Sequence, residues 1–552
     1  QQLSLVLSTG TTLLENLSLN QLENLSGNVV SSLTSSLISL LTTQEIDALV
    51  SSNFTTDQLS YVDASGHAVL KDLTNQQISN ISTDVLKNIS ADTLSILDAT
   101  QLSALTAKQV AQLSSDQLAA LNQDQLHALN ASSLSFSQLF THDANGAFVI
   151  NDLTADQLHS IGQFSSISNV LNNFSSAIDS STGLNQEQFN ELKTYVSSIK
   201  TTDGAQSYEY YITNSLVNGN AFNKTWTGGV DGWNWYSSSI SLGNLGVGSS
   251  QFTFDKLVDK WIDGLDNPKQ DFLGVLYLEN MPHYTVTDAP LFKSAGPSAD
   301  DVNQGAVGDC YFLAALADVA YNNPDYIKSM IWSNGDGTYG VKFYDTTSKL
   351  PVYVTVDGEL NQYAAGWGDQ WTWYVTGNGA AWVSLVEKAY VEYTVITNQN
   401  TFIGQGQNNS YDSIYGGFSK GLVAITGMNT KNYSSSSYSS ETLWEQSLQN
   451  YVTPAIQNKL SVMYASNVDS YDTNGMQDLI SGHMFSVLGV DSTNGNLILR
   501  NPWGNRGTFT NETFEISESN LWANGHGGAF VVSNGYLPSE QPSTLNSSHA
   551  VI

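Results

Sequence analysis

The sequence predicts two architectures in one chain: an N-terminal α-helical solenoid of eight-residue repeats, then an α+β domain. Three observations predict this. Apolar pairs recur every eight residues through the first third of the chain. A single cysteine, Cys310, follows a Gly-rich turn and precedes an apolar helical run. Two alternating apolar runs beyond residue 480, separated by a turn, have the period of strands.

The repeats come first in the chain. Leu70/Leu73, Ile78/Ile81, Leu86/Ile89, Leu94/Leu97, Leu102/Leu105, Val110/Leu113, Leu118/Leu121 and Leu126/Leu129 mark successive octads, and the pattern begins by Leu14/Leu17. Between the pairs lie polar runs such as Thr106-Ala-Lys-Gln109 and Ser114-Ser-Asp-Gln117. Ser or Thr followed three residues later by Gln is a capping box, so each run predicts a helix start. One continuous helix is excluded, because eight residues drift about 80° around it and the apolar stripe would leave any single face. Short capped helices stacked along an apolar spine satisfy the pattern. No octad is stable alone, since helices this short are marginal in water. A second motif interrupts the array near 63–70 and 143–150. Asp63-Ala-Ser-Gly-His and Asp143-Ala-Asn-Gly-Ala read either as tight turns or as calcium loops. The array is expected to span 1–165.

Residues 166–250 follow with helical spacing (Ile167, Val170, Leu171, Phe174) and then an aromatic, Gly-rich stretch. Thr225-Trp-Thr-Gly-Gly229 and Gly232-Trp-Asn-Trp-Tyr236 suit either a sugar-binding surface or packing against the next domain.

The α+β domain is expected over 251–536, with a polar tail at 537–552. Cys310 stands in Gln304-Gly-Ala-Val-Gly-Asp-Cys310-Tyr-Phe-Leu. A lone thiol forms no internal disulfide and no multi-cysteine metal site. It is either a buried small hydrophobe or a nucleophile. At a helix N-terminus the dipole and free N–H groups favour thiolate. A nucleophilic thiol needs an imidazole to move its proton and a third group to fix the imidazole tautomer. His483 opens the run Ser481-Gly-His483-Met-Phe-Ser-Val-Leu, and the next run ends at Arg500-Asn501-Pro-Trp-Gly504. Antiparallel pairing of the two runs brings His483 to Asn501, with Trp503 shielding their bond from water. The other seven of the eight histidines have no such setting.

These motifs, with Trp382-Val-Ser-Leu-Val-Glu-Lys-Ala-Tyr390 and Ser410-Tyr-Asp-Ser-Ile-Tyr-Gly-Gly417 between them, resemble the catalytic core of calpains. The resemblance covers about residues 290 to 535 and implies a papain-like calpain protease core. It implies Cys310 as nucleophile, His483 as acid and base, and Asn501 as orienter. It also implies Gln304 as side-chain donor to an oxyanion, with the Cys310 N–H as second donor. The activity implied is that of a cysteine endopeptidase on protein or peptide substrates, through a thioester. The repeats leave a second use open: a surface-layer, filament or adhesin subunit whose protease domain processes only itself or is inactive.

Calpains use calcium, and the sequence departs from them there. Asp301 keeps a carboxylate of the first core calcium loop, but the glutamate that completes that site falls at Ala380. The glutamate of the second site is missing at Asn505-Arg506-Gly507. Calcium needs several oxygen ligands. A weak site at Asp301 and no required cofactor are therefore expected.

Composition bounds the partners. The formal charge is −32 with 19 Lys+Arg against 51 Asp+Glu, which disfavours nucleic acid and anionic membrane. No apolar run of ~20 residues predicts a membrane span. One cysteine and a surface of Ser, Thr, Asn and Gln resemble large bacterial secreted or cell-surface proteins. Gln1 carries no initiator Met or signal pattern, so the chain reads as a processed product. The repeats are expected to mediate self-association.

Overall fold

A computed structural model describes the chain except residues 1, 6, 8–9, 50–52, 63–67, 144–145, 229–238, 270–282, 306, 363–374, 400–408, 418–419, 505–509, 525–527 and 536–552. The chain divides into two compact units. One comprises residues 1–210 with 247–251, the other 211–246 with 252–552.

The first unit is helical and made largely of short helices. From Asn75–Asn80, through Thr83–Leu86, Ala91–Leu94, Ala99–Ser103, Ala107–Val110 and Ser115–Ala119, to Gln123–His127, a helix starts every eight residues. The capping boxes form. Ser114 Oγ accepts from the Gln117 N–H at 3.2 Å, and Gln117 Oε1 accepts from the Ser114 N–H at 2.8 Å. The other end of the same amide has a second use. Gln117 Nε2 donates to the carbonyls of Leu86 at 2.9 Å and Ile89 at 2.7 Å, 31 and 28 residues earlier. Gln109 does the same to Ile78 and Ile81, and Gln157 to Leu126 and Leu129. A short helix leaves its last carbonyls without partners. These glutamines satisfy them from elements distant in sequence, while the apolar pairs bury between the helices. Two longer helices follow, Phe164–Ser175 and Gln186–Asp203. Phe174 packs on Phe136 with ring centroids 4.3 Å apart, and the Tyr195 hydroxyl donates to the Ile161 carbonyl at 2.9 Å.

At the Asp143 insertion the residues on either side of 144–145 are bonded to each other. His142 bridges Phe148, Gly146 has φ 81°, and Asp143 Oδ1 accepts from the Ala147 N–H at 2.7 Å. The matching motif at 63–67 lies outside the described residues. So do 232–236 of the aromatic stretch and the tail 537–552. Of the aromatics before them, Trp226 is buried, with the Lys256 ammonium 4.3 Å from its ring centre. That is a packing role.

The second unit is mixed α/β. Three helices matter for the site: α1 (Cys310–Asn322), α2 (Trp382–Ile396) and α3 (Lys420–Thr426). A three-stranded antiparallel sheet, β1 (Ile331–Ser333), β2 (Thr338–Tyr344) and β3 (Pro351–Asp357), lies between α1 and α2 in sequence. A six-stranded antiparallel sheet follows: β4 (Thr430–Ser434), β5 (Val462–Ser466), β6 (His483–Val490), β7 (Leu497–Arg500), β8 (Thr513–Ile516) and β9 (Ala529–Ser533). Its spatial order is β8-β7-β6-β5-β9-β4.

Both faces of that sheet are covered. Met463, Met484 and Val531 join the core around α1 and α2, whereas Tyr464, Phe485 and Phe530 join a second core with Trp444 and Leu521. Alternation along each strand produces this division, because successive side chains point to opposite faces. α1 is apolar on nearly all sides, and it is buried from Tyr311 to Ala320, as such a helix must be. Phe312 stacks on Tyr390 of α2 at 3.7 Å, and Ser486 of β6 donates to the Ala314 carbonyl at 2.7 Å. Those contacts hold the start of α1 between α2 and the start of β6.

Candidate active site

Cys310 is the first residue of α1, after Asp309 at the cap position. The turn before it is fixed by close packing. A Cβ on Gly308 would lie 2.3 Å from the Tyr415 ring, which would have to move aside for any larger residue. Three backbone N–H groups act on the Cys310 sulfur, those of Met484, Tyr311 and Cys310 itself, and all favour thiolate. Burial outweighs them, and the neighbouring Asp309 charge adds to it, so the thiol is pushed up to about 11. The thiolate expected at a helix N-terminus is therefore not the resting form. Desolvation of the charge costs more here than the helix end supplies.

His483 opens β6 after Gly482, whose φ is 73°. It is buried, and burial lowers its pKa to about 4 even though the Asn501 hydrogen bond opposes that shift. The imidazole is neutral. Asn501 follows β7, the antiparallel neighbour of β6. Its Oδ1 accepts from the Trp503 backbone N–H at 3.0 Å and lies 2.9 Å from His483 Nε2. A backbone N–H can only donate, so that Asn501 atom is oxygen. The oxygen can only accept, so His483 Nε2 carries the proton. Nδ1 is left as the basic nitrogen. Trp503 lies 4.8 Å from the imidazole, ring centre to ring centre, and covers the bond. The strand pairing thus brings together His483, Asn501 and Trp503, and Cys310 reaches the residue next to His483.

Gln304 is buried, and its backbone N–H donates to the Pro502 carbonyl at 2.7 Å. That bond joins the cysteine loop to the Asn501 loop. Arg500, also buried, joins them again by donating to the Val302 carbonyl at 2.9 Å. The Gln304 side-chain amide donates to the Val307 carbonyl at 2.7 Å and to Asp309 Oδ1 at 3.3 Å. In this state the amide braces the cysteine turn, so donation to an oxyanion requires it to give up one of these partners.

The residues around Asp301 do not fit calcium. Its Oδ2 accepts from the Ser298 N–H at 2.9 Å and the Trp382 indole at 3.0 Å, and its Oδ1 pairs with the Lys293 ammonium at 2.7 Å. An ammonium already supplies the positive charge, and Ala380 offers no side-chain oxygen. Among the described residues no group of three or more His, Cys, Asp or Glu could hold a metal. Residues 505–507 lie outside them.

Sequence reasoning assigned no role to Asp309, Glu387 or Lys293. Asp309 and Glu387 carry one signal, an acid inside a largely apolar motif. Lys293 carries none, since only the fold brings it to Asp301.

Comparison with known proteins points to the same family. Residues 280–523 match the calpain family cysteine protease domain. The chain is similar to the calpain-1 catalytic subunit of Bos taurus, 26% identical over 258 residues, covering 43% of this chain and 30% of that protein. It is similar to the calpain-2 catalytic subunit of Homo sapiens, 25% identical over 236 residues, covering 39% and 29%. A calpain-type cysteine protease of Arabidopsis thaliana is 26% identical over 231 residues, covering 39% and 9%. The chain thus spans less than a third of the length of each of these relatives.

Proposed function

We propose that this chain, whose residues 280–523 form a calpain-like cysteine protease domain, cleaves peptide bonds with Cys310, His483 and Asn501. The observation that carries the proposal is the His483–Asn501 bond at 2.9 Å, which leaves Nδ1 as the base. His483 Nδ1 takes the Cys310 proton as the sulfur attacks the peptide carbonyl carbon. The Cys310 N–H and the Gln304 amide receive the oxyanion. The tetrahedral intermediate collapses, the C–N bond breaks, and His483 returns the proton to the leaving amine. Water then attacks the thioester, again giving a proton to His483. The acid product leaves and the thiol is restored. Because both partners are neutral at rest, proton transfer accompanies attack. His483→Ala is expected to lower kcat about 10²–10⁴-fold on an unstructured protein substrate. An unchanged kcat would overturn the assignment.

The core is proposed to work without calcium, with the Lys293 ammonium bracing Asp301. The short helices are proposed to form a solenoid. The glutamine bonds between segments 28 and 31 residues apart support it. Such an array suits a secreted or cell-surface protein that self-associates, and it favours a second reading in which the protease processes its own chain. A Cys310→Ala version made in the native host discriminates the two. An unchanged mass speaks against self-processing.

A further inference from the structure

Beneath the nucleophile lies a pair of acids that take no part in the proposed proton transfers. Asp309 and Glu387 are 0% and 1% exposed, and their side chains hydrogen-bond to each other. The helices set this meeting. Phe312 stacks on Tyr390, and each acid stands three residues before its ring, Asp309 before α1 and Glu387 on α2. Backbone and amide donors serve the pair as well, among them the Asp309 N–H itself. The Val375 N–H approaches both oxygens of Glu387, at 3.3 and 3.4 Å. The Gln304 amide donates to Asp309 Oδ1 at 3.3 Å. Among the described residues no amide or hydroxyl reaches Asp309 Oδ2. Two buried carboxylates cannot face each other without a proton between them. Glu387 is the better holder, because the Gln304 side-chain amide supports negative charge on Asp309 Oδ1, whereas Glu387 is served only by the long contacts of the Val375 N–H.

We propose that Glu387 is a positioning residue for acyl transfer: as a neutral acid it donates to Asp309, and through Asp309 it holds Gln304 and the Cys310 turn in place. The chain of contacts runs Glu387 to Asp309 to the Gln304 amide, with Cys310 the next residue after Asp309. The shared proton also limits the pair to one negative charge beside the sulfur. A second would further oppose thiolate formation. The Asp309 charge also acts on Cys310 of α1 and Tyr390 of α2.

The inference rests on the peptidase reading for its kinetic consequence but not for the proton itself, so two measurements are made. Infrared difference spectra of the native chain against Glu387→Gln, at neutral pH, read the C=O stretch of protonated carboxylic acids. Loss of one such band is expected. No loss means that Glu387 is ionised and overturns the proposal. The second measurement is the inactivation rate with a peptidyl epoxide. Glu387→Leu is expected to slow the inactivation step about 30-fold with unchanged epoxide affinity, and Glu387→Gln, which keeps one donor and one acceptor, to restore it to within about threefold. Equal loss in both variants, or no loss in Glu387→Leu, overturns it. If Glu387→Leu does not fold, the spectrum and the Gln variant still decide. If the native chain takes no epoxide, the peptidase reading fails alone and the band decides the proton.

Discussion

Burial governs the chemistry of single residues in this site. The Cys310 thiol is pushed up to about 11 and the His483 imidazole down to about 4, so at neutral pH neither is charged. Alkylation of Cys310 by iodoacetamide should therefore rise about tenfold per pH unit from neutrality upward, with no thiolate plateau between about pH 5 and 8. A plateau there would mean a thiolate–imidazolium pair at rest. Asn501→Ala should lower kcat/KM about 10²-fold by freeing the imidazole from its orientation. The His483 shift also has a sign for stability. Its folded pKa lies below its unfolded one, so its contribution falls as pH drops below about 6.5 and levels off below about 4. Cys310, His483 and Asn501 were legible in sequence because each sits in a local motif whose residue types carry the chemistry. Their protonation was not, since it depends on burial in the folded domain. Nor was the bracing of Gln304, because its partner Val307 lies in the same turn and only the folded turn aims the amide at it.

Elements carry the next set of effects. The octad spacing of Ser/Thr and Gln marks the helix starts, and from Asn75 to Gln123 they recur as that spacing predicts. The partners of the Gln Nε2 groups were not legible. A capping box already accounts for the glutamine through its Oε1, and nothing local marks carbonyls 28 residues away. Gln117→Ala should destabilise the first unit by about 1–3 kcal/mol in urea melts, by leaving the Leu86 and Ile89 carbonyls buried without this donor. Gln21→Ala, at an exposed capping box, should change it by less than about 0.5 kcal/mol. Equal effects would deny the clamp. On α1, Asp318 is fully buried, and burial raises its pKa to about 8 despite the Asn322 side-chain amide donating to its Oδ1 at 3.3 Å. A raised carboxyl stabilises fully below its unfolded pKa, and that stability is lost as pH rises through about 8. Asp318→Asn should therefore flatten the loss of stability between about pH 4 and 8. A slope as steep as the native chain's would contradict that assignment.

The whole molecule joins a helical unit to a protease domain under a formal charge of −32. So acidic a chain attracts cations generally, but the carboxylate with the best claim to calcium, Asp301, is already paired with Lys293. Proteolysis in excess chelator and in millimolar calcium should agree within about twofold. A strong rise with calcium would place metal control elsewhere in the chain. The most direct test of the central claim is intact-mass labelling of the full chain with a peptidyl epoxide, set beside His483→Ala and run in chelator and in calcium. A single adduct on Cys310 that forms in both buffers and is lost in His483→Ala is the result expected of an assembled Cys310–His483 site. No adduct on the native chain, or one that forms equally well without His483, would contradict it.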